Sequence, residues 1–351
     1  MKPLALIALI VVTCMASTAH AANFEDRQPF RAGGAIEIQN VSGSVEVRGW
    51  NRNQIEVIAE LDSDRDEVEF EISDDSAYVG IRMKRESRRK HGHHHGQDKA
   101  ADILVRVPAN TRVSANTVSA DITVIGIEGE QRLEAVSGDI DTRLAHAEGA
   151  FRTVSGEIDV VGEAGKTRRV SAYSVSGDIV LENIGGEVRL TTVSGDVEAT
   201  AGKFTRLTGE TVSGDIEFAG DFESGGEIEL ESVNGDIDLR IPTLMNTDFD
   251  LESFNGSIAP LFGYKARRTS RYAPGRELRL TEGNGGSRIR IETLNGDIDI
   301  EASGPERGTP NVRASSATLK DDDDDDDDDW DWGDKDHDHD HEREERERKR
   351  D

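Results

Sequence analysis

The chain of 351 residues has one cysteine, few aromatic residues and a single short apolar run, and each scarcity excludes a class of protein. With Cys14 as the lone cysteine, disulfide bonds cannot stabilise the fold, even in an oxidising compartment. The apolar run at residues 3–12 is too short to span a bilayer, and no later stretch approaches a membrane helix. Aromatic residues are 5% of the chain while glycine occupies 35 positions, which suits tight turns between short strands better than a helical core.

The first 21 residues have the features of an export signal. A short basic start at residues 1–2 precedes the apolar run, and residues 19–21 form a small-x-small cleavage site. The alternative is lipidation at Cys14, which Thr13 argues against, because a small Gly or Ala normally precedes a lipidated cysteine. We therefore predict an exported protein, located in the periplasm or at the cell surface.

Acidic residues outnumber basic residues, and the formal net charge is −29. Residues 320–351 alone hold 19 acidic and 7 basic residues, and nine consecutive aspartates occupy 321–329. This balance argues against nucleic acids and anionic membrane surfaces as partners. It favours cations as ligands, or serves solubility alone.

The middle of the chain repeats a short motif, Val-Ser-Gly-Asp or a close variant, at intervals of 18 to 21 residues. An outlying copy occupies residues 40–47. The last interval, of 40 residues, holds either a coil without the motif or a long insertion, for which 263–275 is the candidate. The apolar first position of each motif, called the marker below, is Val118, Val136, Val154, Val175, Val193, Val212, Val233, Phe254 or Leu294.

On both sides of the motif, apolar and polar residues alternate, as in GEIELESVNGDIDL at 226–239. This period of two predicts a half-buried strand before and after each bend. Such short units cannot bury their own apolar faces, so the repeats must stack, each strand beside its equivalent. The sequence therefore predicts an all-β protein built as a parallel β-solenoid with about 18–21 residues per coil, right-handed by the general handedness of parallel crossovers.

Four regions follow from these patterns: a signal peptide at 1–21, an N-terminal region at 22–110, the array at 111–302 and a tail at 303–351. The N-terminal region has strand-like runs of irregular spacing and a His-rich loop at 85–100. We expect it to form an irregular β cap, because solenoid ends need covering. The tail is too poor in apolar residues to order itself, so we expect it to be disordered.

The junction DILVRVPANTRVSANTVSADI at 102–122, followed by successive xVSGDIx coils and preceded by an export signal, resembles a bacterial adhesin-like domain family of unknown function. The resemblance covers roughly residues 35–302. It implies an exported β-solenoid and brings the family's adhesin label, which is not an established activity. The acidic tail and the HGHHHG loop lie outside the family pattern.

The residue before each marker is small, and the motif glycine recurs with it. Strict alternation would point the small residue inward and the marker outward. Because the marker is apolar, we expect the chain to bend here so that both face the core of a corner. The glycine would serve the bend by a positive φ or by close approach to the next coil. The small residues are Thr117, Ala135, Thr153, Ser174, Thr192, Thr211, Ser232, Ser253 and Thr293.

A carboxylate follows the motif glycine in most copies. Stacked carboxylates would lie about 4.8 Å apart and repel by roughly 0.9 kcal/mol per pair in water. That cost is bearable if each carboxylate caps its turn by accepting a backbone N–H. The alternative is a ladder bridged by Ca²⁺, which prefers oxygen ligands, although Glu157 and Ser257 interrupt it. The candidate ladder is Asp121, Asp139, Asp178, Asp196, Asp215, Asp236 and Asp297.

Histidines cluster in two tracts outside the array. Imidazoles beside carboxylates bind Zn²⁺, Ni²⁺ or Cu²⁺, and we predict weak binding of such ions. The alternative is two solvated polar tracts, because flexible segments lack the fixed geometry of a closed zinc site. The candidate ligands are His91, His93, His94 and His95 in the loop, and His337, His339 and His341 in the tail.

No catalytic constellation stands out, because the carboxylates recur evenly instead of clustering at one coil. The one irregular patch, YKARRTSRYAPGR at 264–276, could hold an acidic glycan. We therefore predict a non-enzymatic, adhesin-like binding or structural surface at the cell envelope, with a glycan or protein ligand, no resident cofactor, and coil ends able to stack end to end. The alternatives are a periplasmic cation-binding or envelope-maintenance protein and a polysaccharide-active enzyme.

Overall fold

The computed structural model describes residues 24–62, 66–73, 75–83, 100–145, 148–163, 169–242, 246–302 and 312–319. Within these ranges the regular secondary structure is entirely β, which confirms the all-β prediction. The same ranges contain no helix long and apolar enough to cross a membrane.

The strands of the described residues are numbered in chain order. The N-terminal strands are β1 (Phe24–Pro29), β2 (Ala35–Trp50), β3 (Gln54–Leu61), β4 (Asp66–Ile72), β5 (Ser76–Met83) and β6 (Ala101–Pro108). The central strands are β7 (Arg112–Ile127), β8 (Gln131–Ala135), β9 (Ile140–Leu144), β10 (Gly149–Arg152), β11 (Ile158–Gly162), β12 (Arg169–Tyr173), β13 (Ile179–Glu182), β14 (Gly186–Thr191), β15 (Val197–Ser213) and β16 (Ile216–Asn234). The C-terminal strands are β17 (Ile237–Ile241), β18 (Thr247–Ser253), β19 (Tyr264–Arg268), β20 (Arg276–Glu282), β21 (Ser287–Asn295), β22 (Ile298–Ala302) and β23 (Val312–Leu319).

The central repeats form layers that pair in parallel, each strand beside its equivalent in the next repeat. The strands before the bend, β8, β10, β12 and β14, form one ladder, and the strands after it, such as β9, β11 and β13, form another. Residues paired between neighbouring layers, from Ile122 to Ile237, are 18 to 21 positions apart in sequence. Most pairing in the sheet is therefore parallel, as the alternating repeats predict.

The core is a continuous stack of aliphatic side chains between the two ladders. Ile140, Ile158 and Ile179 are fully buried and lie above one another in register. Burial of one such side chain stabilises the fold by about 1.5–3 kcal/mol. Because each repeat supplies the same positions, the cluster runs without a break from Phe30 to Ile300.

Antiparallel strands cover the N-terminal end of the stack. Strand β2 pairs in parallel with β7 on one side and with β5 and β6 on the other. Strands β4, β3 and β1 then pair antiparallel, β4 with β5, β3 with β6 and β1 with β3. Glu56 of β3 is buried there and pairs with Arg27 and Arg106 on the flanking strands. These ion pairs link β3 to β1 on one side and to β6 on the other.

At the C-terminal end the layers do not follow chain order. Strands β16 and β17 pair with β21 and β22, and β18 lies on the far side of β21. The last repeat is thus inserted between two earlier ones. The 40-residue interval between the last two motifs contains β19 and β20, which pair antiparallel with each other, and β20 also pairs antiparallel with β18. The insertion expected at 263–275 therefore belongs to a hairpin that covers the outer layer.

Strand β23 corrects the expected start of the tail. The sequence assigns residues 303–351 to a disordered tail, yet Val312–Leu319 forms a strand that pairs antiparallel with β20 and β19. Val312 packs against the hydrophobic core. The outer strand β20 has a free edge that pairing with β23 covers, and local composition does not reveal such an edge.

Candidate functional site

The marker side chains face outward, which corrects the expectation that they line the inside of a corner. Val154 is 43% exposed, whereas the preceding Thr153 and the following Ile158 are fully buried. The backbone keeps its strict alternation up to the bend, so only the small residue points inward. The unbroken alternation of the sequence by itself predicts an outward marker. The inward prediction was wrong because it relied on the apolar character of the marker.

Stacking places these side chains in a line along one edge of the sheet. Backbone pairing of the residues beside them sets the order of the layers. A layer spacing of about 4.8 Å is short enough for van der Waals contact between neighbouring aliphatic side chains. This line, called the corner row below, consists of Val41, Val118, Val136, Val154, Val175, Val193, Val212, Val233, Leu294 and Phe254. Val175 is half-buried and the others are exposed.

In most layers the small residue beneath the corner row donates a buried hydroxyl to a turn carbonyl, which favours its inward place. Thr192 Oγ1 donates a hydrogen bond of 3.2 Å to the carbonyl oxygen of Gly177 in the neighbouring layer. Equivalent bonds join Thr211 to Gly195 and Ser253 to Gly296. A marker turned inward would displace this hydroxyl and leave a turn carbonyl without its donor, so the bend keeps the marker outside.

The motif glycine allows close approach between layers. A Cβ atom added at Gly177 would lie 1.9 Å from the carbonyl oxygen of Gly156, far inside van der Waals contact. Of the two roles expected from the sequence, close approach is therefore the one this position requires.

The predicted carboxylate ladder exists as a line of hydrogen bonds between layers. The Oδ1 atom of each aspartate accepts the backbone N–H of the acidic residue, or its replacement, in the next layer, at 2.7–3.0 Å. The expectation that each carboxylate caps its own turn is wrong in one respect, because the N–H donor belongs to the neighbouring turn. The members are Asp121, Asp139, Asp178, Asp196, Asp215, Asp236 and Asp297.

A second line of carboxylates runs beside the ladder and raises the local negative charge. Burial, and then repulsion from Asp159 and Asp139, raise the pKa of Asp141 above its ordinary value. Burial and neighbouring aspartates likewise raise the pKa of Glu157 and contribute to the raised pKa of Asp238. Within the described ranges, no group of three or more His, Cys, Asp or Glu side chains is placed to hold a metal ion. Calcium bridging of the ladder stays a prediction.

Four glutamates line the C-terminal end of the corner row. They stack in register from strand to strand and line, with five markers, a groove of about 670 Å³. Burial, and then repulsion from Glu292, raise the pKa of Glu231, so the stacked glutamates repel one another. The residues that define this glutamate groove below are Glu210, Glu231, Glu292 and Glu252 with Val193, Val212, Val233, Leu294 and Phe254.

A cationic loop adjoins the glutamate groove. It connects β19 and β20 and is defined here as residues 268–276, with Arg268, Arg271 and Arg276 as its cations. Arg276 pairs with Ser253, directly before Phe254 of the groove. The Tyr272 side chain is 91% exposed. Groove and loop are thus contiguous on the surface, which the sequence could not show because they come from separate strands.

The predicted histidine ligands lie outside the described residues. They are His91, His93, His94, His95, His337, His339 and His341. Their metal binding stays a prediction from the sequence.

Distant likenesses exist among solved structures. A candidate adhesin from Parabacteroides distasonis is 14% identical, with 61% of this chain and 95% of that chain covered and a TM-score of 0.35. A candidate adhesin from Bacteroides fragilis is 12% identical, with 79% and 96% covered and a TM-score of 0.31. A candidate lipid-binding protein from Parabacteroides distasonis is 12% identical, with 80% and 96% covered and a TM-score of 0.33. At these identities and scores the likenesses carry no statement about activity.

No curated protein matches the chain. Residues 34–301 match the Toastrack DUF4097 family. This match spans well over half of the chain, and the family resemblance predicted from the VSGD repeats is confirmed. The chain belongs to the Toastrack DUF4097 family.

Proposed function

We propose that the protein is an exported, non-enzymatic binding protein of the cell envelope and that the corner row is its recognition surface. One observation carries the proposal: layer after layer exposes an aliphatic side chain at the same place, on a chain with a net charge of −29. Contiguous exposed apolar surface on a soluble protein marks interaction sites. An adhesin-like role is consistent with a surface of this kind.

The scaffold we propose for this surface is a right-handed β-solenoid with about 18–21 residues per coil. The separation of paired residues in neighbouring layers supports the coil length. The handedness follows from the general rule for parallel crossovers. A solenoid would hold the row rigid, so that binding costs little conformational entropy.

The chemistry of the row favours a protein ligand over a glycan. Aliphatic side chains such as Val136 and Val154 offer dispersion and burial of apolar surface, and the flanking serines offer hydroxyl groups. A polypeptide segment can match both features along a straight line. A glycan ligand would need the cationic loop, where arginines can pair with acidic sugars.

The carboxylates support a non-enzymatic role. Asp178, Asp196 and Asp215 lie at equivalent places, and each accepts a backbone N–H of the next layer. The groups with raised pKa values do not gather at one point, because Asp141 lies several layers away from Glu231 and Asp238. A catalytic acid or base needs a distinct environment at one point, so turnover of an acidic polysaccharide would contradict the proposal.

The corner row is tested by displaying the protein on cells and measuring their retention on collagen, fibronectin and mucin. The variant combines Val118→Ser, Val136→Ser and Val154→Ser, and the control combines Ile125→Ser and Val161→Ser on another outer row. We expect retention on at least one surface, reduced about tenfold or more by the variant and unchanged in the control. Equal retention of variant and wild type would contradict the proposal.

The cellular location is tested by protease treatment of intact cells. A protein at the cell surface is degraded, while a periplasmic protein is protected until the outer membrane is opened. Protection would rule out adhesion and leave the alternative of a periplasmic cation-binding or envelope-maintenance protein.

A further inference from the structure

We propose that two copies of the protein associate through the C-terminal end of the corner row, each placing its cationic loop in the glutamate groove of the other. This contact goes beyond the proposed function, because it assigns a second copy of this chain as a partner. The part of the corner row involved is not altered in the retention experiment, which replaces Val118, Val136 and Val154.

The glutamate groove combines exposed apolar surface with negative charge that is only partly ion-paired. Glu210 pairs with Arg189 at 3.3 Å, and Glu292 pairs with Arg290. Glu231 and Glu252 form no ion pair with any residue that the structure describes. Between them the groove exposes Val233, Leu294 and Phe254. A fitting occupant therefore brings cations together with an apolar or aromatic group.

The cationic loop has this composition. Arg267, at its base, is held by Glu277 at 3.2 Å, whereas Arg268, Arg271 and Arg276 form no ion pair within the described ranges. Tyr272 has almost its whole side chain in solvent. Tyrosine and arginine are the residues that most often anchor protein interfaces, because they bury large areas and donate hydrogen bonds. An exposed tyrosine flanked by free arginines is thus suited to an acidic, apolar groove.

Adjacency of the two parts makes the surface self-complementary. The backbone of Arg276 pairs with Ser253, so the loop ends on the strand next to Phe254. A two-fold axis between groove and loop would place each loop opposite the groove of the other copy. Such an isologous contact uses the same patch twice and closes at the dimer. Elsewhere a chain of net charge −29 repels its own copies, so this patch determines where association occurs.

Sedimentation velocity of the full chain, over a range of concentrations, tests the proposal. We expect a reversible dimer at about 0.15 M salt that weakens at about 1 M salt, because screening shortens the reach of the charges. The loop variant Arg268→Glu with Arg271→Glu, and the groove variant Glu231→Arg with Glu252→Arg, should each weaken dimerisation about tenfold or more. The four substitutions together restore opposite charges and should recover the dimer.

Two controls separate association from folding and from ligand binding. The charge reversal Glu198→Arg, at an exposed place on the other ladder, should leave the dimer intact. Urea midpoints of the loop variant and of Glu198→Arg should stay near that of the wild type, and the groove variant, which relieves repulsion at Glu231, should unfold at an equal or higher midpoint. A monomeric wild type, or a dimer that survives both paired reversals, overturns the proposal. Loss of the dimer in the Val118, Val136 and Val154 serine variant would also overturn it, because the contact would then lie elsewhere on the corner row.

Discussion

The Oδ1 atom of Asp178 accepts a hydrogen bond of 2.8 Å from the backbone N–H of Asp196, the residue at the same place in the next layer. Asp196 accepts in the same way from Asp215, and Asp215 from Asp236. A carboxylate that accepts an N–H makes a stronger hydrogen bond than a neutral acceptor does. The stack therefore tolerates a line of like charges because each charge ties two layers together.

Removal of one of these acceptors should weaken the stack. We expect Asp196→Ala to lower the free energy of unfolding by about 1 kcal/mol, because the N–H of Asp215 loses its partner. Asp196→Asn keeps an acceptor oxygen and relieves repulsion, so its loss should be smaller. Urea denaturation followed by circular dichroism measures both.

Glu157 provides the matched control for this prediction. Its longer side chain forms no hydrogen bond with the backbone N–H of Asp178 in the described part of the chain. Glu157→Ala should therefore change the free energy of unfolding by no more than about 0.5 kcal/mol. Equal losses for the alanine variants at 157 and 196 would show that the hydrogen bond between layers is not the source of the stability.

Buried hydroxyls at equivalent places should differ in their contribution. Thr192 Oγ1 donates to Gly177, whereas Ser174 Oγ is buried without a hydrogen-bond partner. We expect Thr192→Val to cost about 1 kcal/mol and Ser174→Ala to be neutral or stabilising, because it removes an unpaired buried hydroxyl. Thermal unfolding of the two variants checks the order, and a larger loss at 174 than at 192 would contradict it.

Truncation of the inward residue should destabilise the protein far more than truncation of the outward marker four positions earlier. Ile158 is fully buried, so Ile158→Ala should cost about 2–5 kcal/mol. Val154→Ser should change the free energy of unfolding by about 0.5 kcal/mol or less, since Val154 is exposed. Chemical denaturation measures both. A loss above about 2 kcal/mol for Val154→Ser would restore the inward corner expected from the sequence.

The alternation of apolar and polar residues was sufficient to predict strands, stacking and most of the core, because a period of two belongs to a half-buried strand. It was not sufficient for Val154, because apolar character shows a preference for leaving water but not whether a partner covers the side chain. Thr153 takes the buried position instead, because its hydroxyl donates a hydrogen bond there to the carbonyl oxygen of Gly138.

The order of the last layers could not be predicted from the sequence. Residues 247–253 and 287–293 both alternate in the same way, and either could pair with β16. Only the folded structure distinguishes them: β21 pairs with β16 on one side and with β18 on the other. Glu231 and Glu292 are therefore neighbours although they are far apart in the chain. The glutamate groove depends on this order and therefore escaped local pattern analysis.

Metal binding by the histidine tracts is tested by titration calorimetry with Zn²⁺, Ni²⁺ and Ca²⁺. We expect weak Zn²⁺ and Ni²⁺ binding that is lost when 320–351 is deleted and His91, His93, His94 and His95 are replaced by alanine. Ca²⁺ heat that survives these changes and is removed by Asp196→Ala would support a calcium ladder instead. Silence with all three ions would contradict the cation-binding alternative.

Acid should weaken the covering strands through Glu56. Burial by itself raises the pKa of this carboxyl, but hydrogen bonds and attraction from Arg27 and Arg106 outweigh it and lower the pKa below the ordinary value of 4.5. The contribution of a lowered carboxyl pKa is present above the ordinary value and is lost as pH falls through the value in the folded state. Glu56→Gln should cost about 2 kcal/mol near neutral pH, and its difference from the wild type should shrink below about pH 4.

Glu231 supplies the control of opposite sign. Its pKa is raised, first by burial and then by the neighbouring glutamates, so the charged form destabilises the folded state above that pKa. Glu231→Gln should therefore stabilise the protein near neutral pH, and the gain should vanish in acid, where the wild-type carboxyl is protonated. Urea midpoints of wild type and both variants, measured from about pH 7 to about pH 3, give the two slopes. Parallel curves for wild type and Glu56→Gln would show that the ion pairs of Glu56 do not couple folding to pH.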